Sequence, residues 1–265
     1  MTPGHCLTRK IAPQLPIHVR ARATFGVVLG LGLALAGPAW AQSSGNGFLF
    51  KQPIGSFAVR GGFAHASAGS DIFSFSREQL TLGRGDFSGL ALGTDVAFRV
   101  AQRVDLVLGA AYSGGSADSE FRDWVDDLDR PIEQTTTFQR IPVTATAKVY
   151  LTPRGRSIGR FAWLPARFAP YIGGGGGAMW YRFRQRGDFV DFETLDVFGD
   201  EFESSGWTAT AHALGGVDFS LTPRLALTGE ARYTYAKASL DDDFEGFDRI
   251  DLSGISTTIG LSIRF

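Results

Sequence analysis

The last twelve residues alternate between two kinds of side chain without interruption. The odd positions are apolar or threonine, and the even positions are small, polar or charged: Ile255, Thr257, Ile259, Leu261, Ile263 and Phe265 against Gly254, Ser256, Thr258, Gly260, Ser262 and Arg264. A period of two predicts a β-strand with one apolar face. In water, such a strand ending on an exposed Phe is an aggregation liability. In a closed barrel in lipid, the apolar face contacts hydrocarbon, so the pattern favours a membrane β-barrel.

Seven earlier segments alternate in the same way and predict strands at 56–65, 89–100, 104–113, 136–151, 169–183, 207–221 and 225–236. Three turn-like connections are predicted at 101–103, 152–168 and 222–224, and four long ones at 66–88, 114–135, 185–206 and 237–253. An even strand count, with short turns at one end and long loops at the other, is typical of bacterial outer-membrane barrels. The predicted fold is all-β: an eight-stranded antiparallel transmembrane barrel, an up-and-down meander with both termini periplasmic.

Charged residues are sorted along the chain in a way that supports a polarised barrel. The formal net charge is only −1, which provides no argument for nucleic acid as a partner. All but four of the 27 acidic residues lie in the four long connections; the exceptions are Asp95, Asp105, Asp218 and Glu230. The short connections carry arginine instead. A soluble sandwich has no reason to sort its charge between alternate loops.

The N-terminus has the pattern of a secretory signal. Basic residues precede the apolar run Phe25–Ala36, and Ala39-Trp40-Ala41 forms a cleavage site before Gln42. A single membrane anchor is the alternative, but the run is short for one. The only cysteine, Cys6, lies upstream, so no disulfide is expected after cleavage. We expect residues 1–41 to be a signal peptide, 42–55 a periplasmic lead-in and 56–265 the barrel, located in the outer membrane.

Four features carry a resemblance to a known class: the signal peptide, the run Pro170–Gly175, the hairpin around Leu221–Arg224 and the final Phe265. Over residues 48–265 the chain resembles small outer-membrane barrels, in particular the OmpA-like transmembrane barrels and the opacity-type porin family. The resemblance implies an integral outer-membrane protein of the Gram-negative cell envelope with a structural or surface-interaction role. Outer-membrane lipid and lipopolysaccharide are then its expected surroundings.

The same resemblance implies a role for the last strand in biogenesis. In this family the barrel-assembly machinery reads the terminal strand. The residues expected to form this assembly signal are Ile259, Leu261, Ile263 and Phe265.

The predicted inward faces carry ten ionisable residues: Arg60, Asp95, Arg99, Arg140, Lys148, His212, Asp218, Glu230, Arg232 and Arg264. Eight strands enclose a lumen just wide enough for side chains, and a buried charge must be paired. One interpretation is a salt-bridge network that closes the barrel. The alternative is a narrow, porin-like channel for small solutes that these groups line.

A third alternative is a lipid-modifying enzyme, which needs a nucleophile and base or a clustered acid and base. Beyond the signal peptide, the only histidines are His65 and His212. His65 lies near a loop edge, and His212 is predicted to face inward in the middle of a strand. No Ser–His–acid set converges on one rim, so we predict no catalytic residues, no cofactor and no enzymatic activity.

The long loops contain two dense acidic runs. Asp241, Asp242, Asp243 and Glu245 are weak candidates for binding a divalent cation, and Asp123, Asp126, Asp127 and Asp129 form the second run. Carboxylate oxygens suit calcium or magnesium, which could bridge the loops to lipid A phosphates. The EF-hand spacing is absent, so a solvated run of charge is the simpler interpretation. Aromatic residues interleave with these acids, so the loops could pack over the mouth or contact surface partners.

Overall fold

The chain forms a closed ring of eight antiparallel strands. The computed structural model describes residues 47–126, 128–191, 194 and 196–265. Its strands are β1 (Leu49–Phe50), β2 (Gly55–Ala66), β3 (Gly89–Ala101), β4 (Val104–Val125), β5 (Pro131–Tyr150), β6 (Gly155–Ile158), β7 (Ala162–Pro165), β8 (Phe168–Val190), β9 (Val197–Ser220), β10 (Leu225–Ala238), β11 (Ile250–Asp251) and β12 (Gly254–Arg264). The eight long strands each pair with the next, and β12 pairs with β2 to close the ring. The predicted eight-stranded antiparallel meander is confirmed.

The outward face of the ring is an apolar belt. Val59, Leu92, Ile172 and Ile259, on four different strands, are all more than half exposed. Toward the end with the long connections, the belt is bordered by aromatic residues: Trp180, Trp207, Tyr233 and Tyr235. A closed ring with this belt is how chains cross the bacterial outer membrane, because every backbone polar group is paired and the apolar face meets lipid. The chain is therefore an outer-membrane β-barrel protein. Within the described residues, no helix is both long and apolar enough to cross a membrane.

Two of the four predicted long loops are largely strand, so those predictions are wrong. β4 and β5 continue through most of 114–135, and β8 and β9 through most of 185–206. Polar cross-strand contacts replace apolar alternation there; the hydroxyls of Ser116 and Thr137, for example, lie 3.0 Å apart. An outer face of polar and charged side chains is unsuited to hydrocarbon. The barrel wall therefore extends well outside the membrane.

The other two long connections fold into the extracellular mouth. The first contains helix α1 (Asp71–Gln79) and a 3-10 turn at Arg84–Phe87, and the last contains a 3-10 turn at Asp242–Phe244 followed by β11. Their apolar side chains pack against inward-facing residues of β5, β8 and β10 as one core: Ile72, Phe73, Leu80, Leu82, Phe87, Phe244, Ile250 and Leu252 with Phe138, Met179, Tyr181, Phe183, Ala236 and Ala238. We call these two segments, residues 71–87 and 242–252, the plug. Phe192, one of the aromatic loop residues, lies outside the described residues.

The periplasmic end carries a small second sheet. β7 pairs with both β6 and β1, so part of the predicted lead-in and the connection 152–168 form one three-stranded unit. Trp163 is buried in it, and the guanidinium of Arg264 lies 5.9 Å from the centre of the Trp163 ring. The unit therefore lies against the lower rim of the barrel. The predicted signal peptide, residues 1–41, and residues 42–46 of the lead-in lie outside the described residues.

Candidate functional site

A cluster of charged side chains crosses the middle of the lumen; we call it the central cluster. Arg60 Nη2 lies 2.6 Å from Asp95 Oδ2, and Arg60 Nη1 donates to Glu230 Oε1. Arg232 Nη2 also donates to Glu230 Oε1, at 3.0 Å, and the Tyr171 hydroxyl donates to Glu230 Oε2 at 3.1 Å. The four charged side chains are at most 12% exposed. Two cations and two carboxylates thus neutralise one another and, with the Tyr171 hydroxyl, join β2, β3, β8 and β10.

A lower cluster lies nearer the periplasmic end. Asp218 accepts hydrogen bonds from the hydroxyls of Tyr150, at 2.7 Å, and Thr228, at 2.9 Å, and lies 3.5 Å from Lys148 Nζ. Lys148 Nζ is also 3.5 Å from the centre of the Tyr171 ring, whose hydroxyl belongs to the central cluster. The two clusters are therefore stacked and share an aromatic side chain.

Two further residues complete the lower cluster. Arg154 Nη1 donates to Asp105 Oδ2 at 2.6 Å, and its guanidinium lies 4.5 Å from the centre of the Tyr150 ring. Arg154 comes from the connection after β5, so this ion pair ties the periplasmic sheet to the barrel wall. Among the described residues, Asp105 Oδ1 and Arg154 Nε and Nη2 have no hydrogen-bond partner, so the ion pair rests on the Nη1–Oδ2 contact.

Six of the ten ionisable residues predicted to face the lumen belong to these two clusters. Arg60, Asp95, Glu230 and Arg232 form one cluster, and Lys148 and Asp218 belong to the other. Four predicted members join neither cluster: Arg99, Arg140, His212 and Arg264. Four participants were missed: Asp105, Tyr150, Arg154 and Tyr171. The alternation of inward and outward side chains along β4, β5 and β8 predicts that Asp105, Tyr150 and Tyr171 face the lumen. Arg154 lies in a turn, where no such alternation exists.

The lumen is filled in layers along its axis. From the periplasmic end, the order is the three-stranded sheet, the lower cluster, the central cluster and the plug. A cavity of about 30 Å³ lies around the two clusters, and one of about 60 Å³ is lined by central-cluster residues together with Arg140 and Met179. Spaces of this size hold a few water molecules. They lie between packed layers of side chains.

The two histidines lie on opposite faces of the barrel wall. His212 is buried, and its Nε2 lies 2.8 Å from the Thr146 hydroxyl. His65 is exposed on the outer face, with its ring centre 6.1 Å from that of Phe63. In the part of the chain that the structure describes, neither histidine is hydrogen-bonded to a carboxylate. A hydroxyl partner orients an imidazole but does not supply the acid of a catalytic triad.

Two carboxylates of the acidic loop accept hydrogen bonds from backbone N–H groups and do not converge on one point. Asp241 Oδ2 accepts from Ser205 N at 2.9 Å, and Asp243 Oδ2 accepts from Glu203 N at 3.1 Å. Asp242 and Glu245, the other weak cation candidates, are exposed. Among the described residues, no group of three or more acidic, histidine or cysteine side chains is arranged to hold a metal ion. Backbone donors thus engage two of the four candidate carboxylates, those of Asp241 and Asp243.

The second acidic run builds a turn. Asp126 Oδ1 accepts from the backbone N–H of Leu128, at 2.9 Å, and of Arg130, at 2.8 Å, while Oδ2 pairs with the Arg130 side chain at 2.7 Å. The hydrogen bonds from Arg130, with its charge, hold the pKa of the Asp126 carboxyl below its usual range. Asp127, from the same run, lies outside the described residues.

The expected assembly residues share the outer face of β12. Ile259, Leu261, Ile263 and Phe265 are all at least 44% exposed and belong to the apolar belt. Phe265 N donates to Gly55 O at 3.0 Å, so the backbone at this position is anchored to the first strand of the ring. Recognition of these side chains by the assembly machinery stays a prediction.

No protein-family model and no curated protein matches the sequence. Solved structures similar to the chain include Neisserial surface protein A (15% identity, 79% of this chain and 97% of the other, TM-score 0.42). OprG from Pseudomonas aeruginosa is 17% identical over 81% and 97% of the two chains, with a TM-score of 0.41. Ail of Yersinia pestis, in complex with the heparin analogue sucrose octasulfate, is 13% identical over 80% and 99%, with a TM-score of 0.39. The fold assignment rests on this chain's own strand pairing.

Proposed function

We propose that this protein is a closed outer-membrane barrel with a structural and surface-interaction role, and not a solute channel or a lipid-modifying enzyme. The observation that carries the proposal is the layered seal of the lumen. An ion would have to pass the lower cluster, the central cluster and the plug, and the first two are held by buried, charge-assisted hydrogen bonds. The narrow-channel alternative requires these layers to open together.

The first test is conductance. We expect residues 42–265, refolded and inserted into a planar lipid bilayer, to show no discrete current steps. A heat-shifted gel band checks first that the barrel has folded, so that silence cannot be due to misfolded protein. Reproducible steps from the folded barrel would contradict the closed-barrel proposal and support the channel.

The working surface of a closed barrel is its extracellular wall. β8 carries three outward-facing arginines at alternate positions, Arg182, Arg184 and Arg186, which we call the arginine row. The row begins directly above the belt, because the Arg182 guanidinium lies 5.4 Å from the centre of the Trp180 ring. Residues two apart on a strand are separated by about 7 Å. The row thus rises from the membrane interface into the region of lipid headgroups.

The arginine row keeps donors available for anionic ligands. Each member approaches a carboxylate of β9 through Nε: Arg182 to Glu203 at 3.0 Å, and Arg184 and Arg186 to Glu201 at 3.3 and 3.8 Å. Their terminal amino groups can therefore bind phosphate oxygens, which suit the planar guanidinium. Outer-leaflet lipopolysaccharide presents phosphates just above the hydrocarbon boundary. We infer that the row contacts the phosphates of lipopolysaccharide.

Replacing Arg182, Arg184 and Arg186 together by glutamine is expected to weaken binding of lipopolysaccharide about tenfold. Each exposed charged contact contributes about 0.5 kcal/mol, and three of them account for that factor. Binding is measured by titrating the detergent-solubilised barrel with lipopolysaccharide. A matched control replaces Arg103, Arg156 and Arg160, exposed at the periplasmic end, by glutamine. Equal losses in the two triple variants would indicate a nonspecific effect of net charge.

A further inference from the structure

The cavity of about 60 Å³ beneath the plug has an unusual lining. Its walls include three arginines from three different strands, together with small and apolar side chains: Arg60, Arg140, Arg232, Ala64, Met179 and Thr258. No carboxylate side chain is among the residues that line it. A space bordered by cations without an acidic side chain is electrostatically suited to an anion.

Of the three arginines at this cavity, Arg140 is the one that the clusters below do not neutralise. Arg60 and Arg232 are balanced by Asp95 and Glu230 within the central cluster. Arg140 is only 5% exposed and, among the described residues, has no carboxylate within 4 Å. A buried charge without a paired counter-charge is strongly destabilising.

The nearest compensating acid is engaged elsewhere. Asp251 of β11 attracts Arg140 electrostatically but forms no ion pair with it. Its Oδ1 accepts from Ser253 N at 3.0 Å, and its Oδ2 from Gly69 N at 3.2 Å. The carboxylate therefore stabilises the chain entering β12 and does not occupy the cavity.

The Arg140 side chain is held in place by the plug. Its Nη1 donates to Leu252 O at 3.0 Å and to Ser253 O at 3.2 Å. A side chain at Gly254 would crowd this contact, since a Cβ there would lie 2.9 Å from Arg140 Nη1. The ring of Phe138 lies 5.1 Å from the guanidinium carbon. A guanidinium has five N–H donors in a rigid plane, so fixing one nitrogen fixes where the others can bind.

We propose that this cavity binds a small inorganic anion, between chloride and phosphate in size, with the Arg140 guanidinium as its principal ligand. The volume has room for about four water-sized spheres, which accommodates such an ion and excludes a bulky organic anion. The anion neutralises Arg140 and links β5 to the plug through the same guanidinium. The inference is independent of the proposed surface role, because it concerns the lumen alone.

The test compares anions at constant ionic strength. Residues 42–265, refolded in detergent, are titrated with sodium chloride or sodium phosphate against sodium gluconate, whose anion is too large for the cavity. The thermal midpoint, read from the heat-shifted gel band, is expected to rise and saturate with chloride or phosphate. In Arg140→Gln, we expect the concentration needed for half of the rise to increase at least tenfold. Arg103→Gln, exposed at the periplasmic end and outside the arginine row, is the matched control and should behave like the wild type.

Two results would overturn the proposal: no saturable rise in the wild type, or the same rise in Arg140→Gln. If Arg140→Gln does not fold, crystals of the wild-type protein soaked in bromide decide the matter by anomalous scattering. A bromide peak within hydrogen-bond distance of the Arg140 guanidinium supports the site. A cavity without a peak, in crystals that bind bromide elsewhere, excludes it.

Discussion

Replacing Glu230 by glutamine is expected to lower the free energy of unfolding of the barrel by about 3–5 kcal/mol. Glu230 accepts hydrogen bonds from Arg60, Arg232 and Tyr171, and its carboxylate is one of only two in the central cluster. The substitution preserves the shape of the side chain and removes its charge, so two buried guanidinium groups are left to share Asp95. Urea titration of the barrel in lipid vesicles, followed by tryptophan fluorescence, measures the loss.

A matched substitution on the outer wall shows how much of the loss of stability depends on the burial of the lost charge. Glu203 pairs with Arg182 at 3.0 Å, but both side chains are about one-third exposed. Glu203→Gln should therefore cost less than about 1 kcal/mol, as exposed ion pairs do. Adding Arg232→Gln to Glu230→Gln restores the charge balance of the cluster and should recover part of the loss. Equal costs for the Glu230 and Glu203 variants would show that the central cluster is not a principal source of stability.

The strands within the membrane were predictable because lipid imposes a sharp contrast between the two faces. Outward residues such as Val59 and Ile259 must be apolar, so strand positions could be read from a period of two. Above the lipid that contrast disappears. Arg184 faces outward at the same parity as Ile172 on β8, and a pattern that changes from apolar to charged looks like the start of a loop. For this reason 185–206 was predicted as a connection when most of it is wall.

The sequence predicts which charged residues face the lumen, but it does not predict which of them pair with one another. Strand parity identifies Arg60 and Glu230 as inward-facing, since each strand alternates. Which inward residues meet depends on strand register and on the tilt around the ring, and neither follows from a single strand. Packing of the aromatic loops over the mouth was one expectation, but the part played by Phe73 and Phe87 was not predicted, because they lie in a connection that shows no strand period. Their burial depends on the mouth that the distant strands β5, β8 and β10 provide.

Replacing Phe73 by alanine is expected to loosen the plug, at a cost of about 3–5 kcal/mol. Phe73 is completely buried, and its ring centre lies 4.7 Å from that of Phe87, 5.3 Å from Phe138 and 5.6 Å from Phe183. Removing it leaves a cavity where both plug segments meet the wall. Hydrogen exchange should show faster exchange of backbone amides in residues 71–87 and 242–252. The strands beneath, held by their own hydrogen bonds and the central cluster, should retain their protection.

The same helix offers the control. Phe75 is only partly buried and contacts Phe247 at a ring-centre distance of 5.4 Å, so Phe75→Ala should affect the plug much less. If Phe73→Ala also exposes the amides of β12, the plug and the wall unfold as one unit, contrary to this expectation.

Conductance tests whether the layers of the lumen block ions independently of one another. Because the plug and the central cluster lie in series, Phe73→Ala and Glu230→Gln should each remain silent. The double variant should also remain silent, because the lower cluster is intact in it, and current in any of these variants would mean that the layers left intact do not close the lumen.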